Sequence, residues 1–392
     1  MSRKKQNYIA LAFLFIMMIL AAIVENTKGI FIPVFKQEFG VNDNTISNML
    51  ISTSAAYMVL TFIGGTLCEK IGQKKVFLIG LMVIALSLVF LSFTKNYLML
   101  YTGMVASSAG IAMVAISCNT ILPIIALTAQ NVIMNVMHAC YGLGSSIGQG
   151  LFGALTSRGV DWRTIYLFVG IIYLVVFICF IFVRIPRTEI VKKEEKLSLK
   201  EALGNKLIVA YMLALGLYVF TEQGISNWFV NYMKFGYDIN EQKAGIYLSL
   251  FFAIFTIGRL FGGFVVEKRG YFNILYKTLL IGSILCIIGL LLGGSGMVII
   301  SLSGLFFSIT FPTTVLSISK VFDKHVAYIT GIVITAASLV GMILNKAIGI
   351  LNESIGVDKA FYIIPASAIL SAALMLYLYV NTKNKLSGKI NN

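Results

Sequence analysis

The sequence predicts an all-α integral membrane protein with 12 transmembrane helices in two six-helix pseudo-symmetric halves. Of the 392 residues, 58% are hydrophobic and 12% are charged, whereas an ordinary soluble domain is roughly 25% charged. Apolar runs of about 20 residues, the length that crosses a hydrocarbon core, recur along the whole chain. A short polar hairpin between two such runs occurs twice. These observations indicate a duplicated membrane protein.

The repeated hairpin is rich in glycine and charge. Residues 65–75 read GTLCEKIGQKK, and residues 263–270 read GFVVEKRG. Glycine lets two helices approach closely, and an acid beside basic residues can form ion pairs between neighbouring helices. We expect both copies to act as cytoplasmic gating hairpins. Their equivalent positions are Gly65, Glu69, Lys70 and Gly72 in the first copy and Gly263, Glu267, Lys268 and Gly270 in the second.

The apolar runs predict the order of spans and domains. The twelve spans are 8–33, 45–68, 76–94, 97–125, 132–156, 163–184, 207–233, 244–266, 273–292, 296–319, 326–351 and 360–381. We expect 1–184 to form an N-terminal six-helix bundle, 185–206 a central cytoplasmic loop and 207–392 a C-terminal six-helix bundle. In the loop, Ser198 and Glu201 have the spacing of a capping box, which predicts a short amphipathic helix on the membrane surface.

The distribution of basic residues predicts the orientation. With the N-terminus in the cytoplasm, the cytoplasmic segments contain most of the 31 Lys and Arg residues, as the positive-inside rule requires. The basic N-terminal residues are not followed by a cleavage site, so we expect the first span to be retained. The prediction is therefore a multi-pass protein of the cell (plasma or inner) membrane with both termini in the cytoplasm.

Composition and loop length exclude several classes of function. The five cysteines lie in apolar runs without a Cys-x-x-Cys pair, so no metal site or disulfide framework is predicted. No phosphate-binding glycine loop of the Walker type occurs, and ATP is not expected to drive the protein. The loops are too short for a catalytic domain. We expect no enzyme activity, no cofactor and no nucleic-acid partner. The lipid bilayer is the expected partner, and the net charge of +15 is interpreted through the distribution of charges between the two sides of the membrane.

The two halves, the paired hairpins, the central loop and Asp161-Trp162-Arg163 before the sixth span resemble the major facilitator superfamily. Three passages are similar to its fucose–proton symporter (sugar permease) family: residues 29–39, residues 135–144 and Phe311-Pro312-Thr313-Thr314. That family has a proton-carrying Asp where this chain has Gly29, and an acid in span 4 where it has Cys118 or Asn119. The resemblance implies a major facilitator fold and sugar transport.

Charged residues within spans are the first candidates for function, because a charge in hydrocarbon costs about 3 kcal/mol or more. Glu25 and Lys28 are three residues apart on one face of span 1. They form either a titratable pair, with Glu25 as the proton-coupling group, or a structural ion pair. Glu222 in span 7 occupies the equivalent position to Glu25 and is the second proton-coupling candidate, favoured for a role at the substrate.

Arg259 and Lys346 complete the set of charges in spans. Arg259 lies four residues before Gly263, where bracing of the gating hairpin is favoured over substrate binding. Lys346 lies on a polar face of span 11 and either pairs with Glu25 or attracts an anionic substrate. The sequence does not separate these two roles.

Polar and aromatic residues inside spans are expected to bind the substrate, because amides and aromatic rings are typical of polyol sites. Each is alternatively an ordinary interhelical hydrogen-bonding group. The candidates are Asn26, Lys28, Asn119, Tyr141, Gln149, Gln223, Asn227, Trp228, Asn345 and Lys346.

These features predict a secondary active transporter, acting as a monomer, that moves a small polar, sugar-like solute by alternating access. We expect coupling to a proton or another cation. The alternative is efflux of drug-like or amphipathic compounds by the same fold. A membrane enzyme or sensor is the remaining class, which the short loops disfavour.

Overall fold

A computed structural model describes residues 3–125, 130–183, 185, 199–322 and 325–387. The described residues form 17 α-helices and one 3-10 helix. Contacts divide the chain into two compact units. Unit 1 contains Met1–Val191 and Asn240–Ser249, and unit 2 contains Lys192–Ile239 and Leu250–Asn392. The predicted all-α class is confirmed.

Unit 1 contains seven complete helices: α1 (Arg3–Asn26), α2 (Lys28–Phe39), α3 (Asp43–Ile71), α4 (Gln73–Ser92), α5 (Tyr97–Ile125), α6 (Gln130–Ser157) and α7 (Trp162–Ile181). The short helix α8 (Leu199–Gly204) lies where the sequence predicts a surface helix, although its proposed cap Ser198 is outside the described residues. The remaining helices are α9 (Lys206–Tyr237), α10 (Glu241–Arg269), α11 (Tyr271–Leu291), the 3-10 helix Gly293–Gly296, α12 (Met297–Leu302), α13 (Gly304–Phe307), α14 (Thr310–Val321), α15 (Val326–Ile355), α16 (Val357–Ala360) and α17 (Ile363–Ser387).

Within the described ranges, 11 helical segments are long and apolar enough to cross a membrane. The twelfth predicted span, residues 132–156, corresponds to α6, which is a 28-residue helix but is not among those 11. Asparagine, glutamine, serine and glycine lower the apolar content of α6. Helices that carry polar groups inward have weak hydropathy signals for this reason.

The first predicted span is broken at Thr27, between α1 and α2. The Thr27 hydroxyl donates to the carbonyl of Val24 over 3.0 Å, and the Ile30 amide donates to the Thr27 carbonyl only three residues back. Gly29 and Pro33 follow closely, and both weaken a helix. The Phe31 amide also donates to the Thr27 carbonyl, over 3.3 Å. The predicted span 8–33 thus lies within one apolar segment, Asn7–Phe39, which has a turn at Thr27 between Glu25 and Lys28.

The predicted span 296–319 is also interrupted, because α12, α13 and α14 are separate segments. Pro312 has no N–H, so the carbonyl of Ser308, four residues earlier, loses its usual helical donor. The Arg259 Nε–H donates to this carbonyl over 3.2 Å. A buried carbonyl in a membrane helix needs such a partner.

The two hairpins share one backbone geometry. Gly72 ends α3 with φ 91° and ψ 146°, and Gly270 ends α10 with φ 84° and ψ 148°. The amide of each donates to the carbonyl four residues earlier, Cys68 and Val266, respectively. Positive φ at these values favours glycine. The repeat predicted from sequence is thus present in the backbone, with Lys70 and Lys268 both exposed.

The start of α10 groups with unit 1, although the sequence places it in the C-terminal half. A Cβ on Gly153 would lie 2.9 Å from the Glu241 carbonyl oxygen and 2.9 Å from Gly245 Cα. The hydroxyl of Ser249 also donates to the Ser146 carbonyl over 2.7 Å. Glycine at the crossing brings the backbones together, and serine joins them, as in other membrane helix pairs.

A cluster around Arg163 ties α2, the α4–α5 connection and α7 together. Glu38 accepts hydrogen bonds from Arg163 Nη2 and from Trp162 Nε1, the latter over 2.7 Å. Arg163 Nε donates to the Thr94 carbonyl over 2.7 Å, and its guanidinium lies 4.4 Å from the Trp162 ring centroid. The planar guanidinium of Arg163 thus contacts Glu38, the Thr94 carbonyl and the Trp162 ring.

Arg163→Lys is expected to lower the melting temperature of the purified protein. An ammonium cannot reproduce the planar fork and ring stacking of a guanidinium, and the loss of about 1–2 kcal/mol lowers the midpoint by roughly 2–8 °C. Thermal unfolding in detergent measures the effect. Arg158→Lys, at an exposed position, is the control. Equal melting temperatures for the two variants would contradict a stabilising role of the Arg163 guanidinium.

Candidate functional site

The first candidate site surrounds the helix break in unit 1. The ammonium of Lys28, whose side chain is 5% exposed, lies 2.6 Å from Glu25 Oε1. The same ammonium donates to Ser108 Oγ of α5 over 3.1 Å. The other carboxylate oxygen, Glu25 Oε2, is buried and accepts no hydrogen bond from a described residue. The pair predicted from the three-residue spacing is therefore formed, with one oxygen atom unused.

Polar groups of α6 close around the same break. Asn26 Nδ2 donates to Ser145 Oγ over 2.8 Å and to the Tyr141 hydroxyl over 3.3 Å. The Gln149 side-chain amide donates to the backbone carbonyl of Asn26. Gln149 is fully buried, and its Oε1 accepts no hydrogen bond within the described part of the chain. A fully buried acceptor without a donor is unusual in proteins, which makes Gln149 Oε1 a candidate hydrogen-bonding position for a ligand or a water molecule.

Two tyrosines from further helices, Tyr57 of α3 and Tyr173 of α7, interact electrostatically with Glu25. The Tyr173 hydroxyl is buried and has no hydrogen-bond partner among the described residues. Unit 1 therefore contains a polar cluster in which several hydrogen-bonding positions are unused.

The second candidate site lies in unit 2, around Glu222 of α9. The Tyr218 hydroxyl donates to Glu222 Oε2 over 2.9 Å. Arg259 Nη2 lies 3.9 Å from Glu222 Oε1, beyond hydrogen-bond distance. Arg259 also interacts with Tyr218 and donates to the Ser308 carbonyl, and its guanidinium carbon lies 4.6 Å from the centroid of the Phe255 ring. The side chain therefore connects helices inside unit 2.

Amide groups from α9 and α15 form a network next to this pair. Asn345 Oδ1 accepts hydrogen bonds from Trp228 Nε1 and Asn227 Nδ2, both over 3.3 Å. Asn345 Nδ2 donates to the Gly341 carbonyl over 3.0 Å and to Gln223 Oε1 over 3.5 Å. Trp228 is 1% exposed, so its ring is enclosed and acts as a donor to Asn345. Gln223 is exposed.

Asn345→Leu is expected to destabilise the protein, because the buried indole N–H of Trp228 then has no acceptor. An unsatisfied buried donor costs about 1–3 kcal/mol. Asn345→Gln retains an amide oxygen and an amide N–H and is expected to lose less. Thermal unfolding of both variants in detergent compares them, and a ranking with the Gln variant less stable than the Leu variant would contradict the network.

Not every predicted site residue joins these clusters. Asn119, exposed on α5, is one that does not. Lys346 on α15 is partly buried and interacts with a neighbouring residue. Glu69 and Glu267 have side chains outside the described set, and Lys70 and Lys268 are exposed at the helix ends.

The structure also adds partners that the sequence analysis did not select: Ser108, Ser145, Tyr218 and Ser308. Tyr218 lies four residues before Glu222, so helical spacing was an available signal. Pro312 in the sequence indicated that the Ser308 carbonyl lacks its helical N–H donor and needs another one.

The fold and the two clusters define a class of protein. Repeated bundles of apolar helices, with carboxylate–cation pairs beside interrupted helices, are typical of secondary transporters. Residues 14–301 match the model of the Major Facilitator Superfamily. The chain belongs to this superfamily and is a transporter.

Two curated relatives have different substrates in their names. The cis,cis-muconate transport protein of Acinetobacter baylyi is 22% identical over 250 residues, which are 60% of this chain and 60% of that protein. The matched region thus spans less than two thirds of that relative. Multidrug resistance protein 2 of Bacillus subtilis is 21% identical over 342 residues, which cover 82% of this chain and 84% of that protein.

Solved structures share the fold. A bacterial homolog of the human lysosomal transporter Spinster superposes with a TM-score of 0.78 at 14% identity, over 96% of this chain and 98% of that chain. The fucose:proton symporter of E. coli superposes with a TM-score of 0.66 at 19% identity, over 95% of this chain and 99% of that chain. The predicted major facilitator fold is confirmed.

Proposed function

We propose that the protein is a proton-coupled transporter that moves a small polar, sugar-like solute across the cell membrane by alternating access. It acts as a monomer with both termini in the cytoplasm, as the positive-inside distribution favours. The observation that carries this proposal is the Glu25–Lys28 pair, which has an unused buried carboxylate oxygen next to the amides of Asn26 and Gln149.

The amide and hydroxyl groups support a polar, uncharged solute. In unit 1, Gln149 Oε1 and the Tyr173 hydroxyl are buried without partners among described residues. In unit 2, the exposed Gln223 side chain accepts a hydrogen bond from Asn345 Nδ2. Sugar hydroxyl groups both donate and accept hydrogen bonds, so they satisfy such groups, and a site built for them rejects apolar analogues strongly.

The carboxylate of Glu25 supports proton coupling. Protonation removes its attraction for Lys28 and creates an O–H donor. The Lys28 side chain is 5% exposed, so protonation of Glu25 would leave a buried ammonium without its counter-ion. Such a change beside the turn at Thr27 can favour one conformation of the transporter over another. A proton that binds one conformation more tightly shifts the equilibrium towards that conformation.

Uptake into proteoliposomes tests the proposal. Radiolabelled neutral sugars, fucose included, are offered with the interior buffered at a more basic pH than the exterior. We expect accumulation of at least one sugar above equilibrium, and loss of accumulation when a protonophore collapses the gradient. Uptake that is unaffected by the protonophore would contradict proton coupling, and failure of the whole sugar panel would contradict the solute class.

Efflux of amphipathic compounds is the second candidate, favoured by the similarity to a multidrug resistance protein. The same vesicles separate the two candidates. Efflux predicts that the pH gradient drives a preloaded cationic dye out of the vesicles and drives no sugar uptake. The main proposal predicts sugar uptake and no movement of the dye.

A further inference from the structure

The carboxylate–cation pair of unit 2 is more open than that of unit 1. Arg259 Nη2 lies 3.9 Å from Glu222 Oε1, whereas Lys28 and Glu25 in unit 1 are in contact at 2.6 Å. Hydrogen bonds between a charged nitrogen and a carboxylate are usually about 2.7–2.9 Å long. Arg259 and Glu222 are thus neighbours without a direct hydrogen bond between Nη2 and Oε1.

Separate contacts fix the two groups at this distance. Arg259 Nε donates to the Ser308 carbonyl over 3.2 Å, and the guanidinium carbon lies 4.6 Å from the Phe255 ring centroid. Glu222 Oε2 accepts a hydrogen bond from the Tyr218 hydroxyl over 2.9 Å, and the same tyrosine interacts with Arg259. Glu222 Oε1 accepts no hydrogen bond from a described residue. A guanidinium has five N–H donors, so Arg259 retains more donors than these partners use.

The two side chains remain accessible to a solute. Their exposed fractions are 16% for Arg259 and 23% for Glu222, so neither is sealed inside the helix bundle. The gap between them has a cationic donor on one side and an anionic acceptor on the other. A hydroxyl group fits this gap, because its single oxygen atom both donates and accepts. Glu222 would repel an anionic group at this place, and Arg259 would repel a cationic one.

We propose that Arg259 and Glu222 bind one hydroxyl group of the transported solute between them. The hydroxyl accepts from Arg259 Nη2 and donates to Glu222 Oε1. Its oxygen atom lies about 2.9 Å from the nitrogen and about 2.7 Å from the carboxylate oxygen, which is compatible with the 3.9 Å between these two atoms. The proposal rests on the proposed function, and it assigns Arg259 to the selection of the solute in unit 2.

A purely structural role of Arg259 makes a different prediction. If the guanidinium only supports the Ser308 carbonyl, its substitution weakens the binding of every sugar by the same factor. If it binds a solute hydroxyl, the variant also loses the ability to distinguish the parent sugar from the analogue without that hydroxyl. Comparison of both sugars on both proteins separates the two roles, as in a double-mutant cycle.

Titration of neutral sugars into the purified full-length protein in detergent tests the proposal without any ion gradient. Neutral hexoses and each of their monodeoxy analogues are the probes, and isothermal titration calorimetry gives the dissociation constants. For the wild type, we expect removal of one particular hydroxyl to weaken binding about tenfold to a hundredfold, the usual effect of losing a hydrogen bond to a charged group.

Arg259→Gln is the test variant for the hydroxyl. We expect it to bind the parent sugar about tenfold to a hundredfold more weakly than the wild type, and removal of the same hydroxyl to weaken binding by less than about threefold more. Arg269→Gln, which changes an exposed arginine of the same helix, is expected to behave like the wild type. If Arg259→Gln does not fold, Arg259→Gln with Glu222→Gln replaces it, because this double variant has no uncompensated charge.

Two results would overturn the role of Arg259 alone. One is equal affinity of the wild type for a bound sugar and all of its monodeoxy analogues, as expected if only water fills the gap. The other is the same discrimination by the wild type and by the Arg259 variant. Failure of the wild type to bind any sugar of the panel would overturn both this proposal and the proposed solute class. Loss of discrimination in the variant, combined with uptake that ignores the pH gradient, would support the role of Arg259 and contradict only proton coupling.

Discussion

Glu25→Gln is expected to abolish accumulation of the solute against its gradient while leaving exchange of the solute across the membrane. Glutamine retains hydrogen bonding but cannot gain or lose the coupling proton. With one proton per solute, a gradient of one pH unit supports about a tenfold accumulation. The variant is expected to reach only equal concentrations inside and outside. Accumulation and counterflow in the same proteoliposomes measure the two activities.

Glu222→Gln is the informative comparison for this prediction. Glu222 accepts a hydrogen bond from Tyr218 and faces Arg259 at 3.9 Å. We expect its substitution to raise KM and to leave the response to the pH gradient. Glu353→Gln, at an exposed position, controls for the chemical change itself. Retained accumulation in Glu25→Gln, with loss in Glu222→Gln, would transfer the coupling role to unit 2.

Gly144→Ala is expected to lower the stability of the protein strongly. A Cβ at this position of α6 would overlap the backbone carbonyl of Ile19 on α1. A backbone atom cannot rotate away, so the two helices must separate. Overpacking costs about 1–3 kcal/mol in ordinary cores and more against backbone, which corresponds to a fall in melting temperature of at least about 5 °C. Thermal unfolding in detergent measures it.

Two other glycines provide a graded series for this prediction. A Cβ on Gly148 would meet Ile23 Cα at 3.2 Å, whereas a Cβ on Gly331 has no neighbour within 4 Å. We expect Gly148→Ala to be intermediate and Gly331→Ala to be close to the wild type or slightly more stable, since alanine favours helix. A melting temperature of Gly144→Ala equal to that of Gly331→Ala would show that α1 and α6 do not cross closely at this point.

The repeat and the helices were predictable from local sequence. Apolar length sets the spans, and the spacing of Glu25 and Lys28 on one helical face predicts their ion pair, which the structure forms. Gly72 and Gly270 were recognised as equivalent from the hairpin pattern, and they have the same backbone conformation. The span 132–156 was also predicted and is helical as α6, although the polar residues Tyr141, Ser145 and Gln149 lower its mean hydropathy below that of the other spans.

The sequence by itself determined the membrane class, the duplication and the presence of buried charges, because apolar length, glycine at positive φ and the cost of charge in lipid are local properties. Only the tertiary structure decided the partners of those charges. Arg259 meets Glu222 and the Ser308 carbonyl from three separate segments, and Lys28 meets Ser108 across 80 positions. Such contacts depend on how helices pack side by side, and no periodicity within one helix specifies its neighbours.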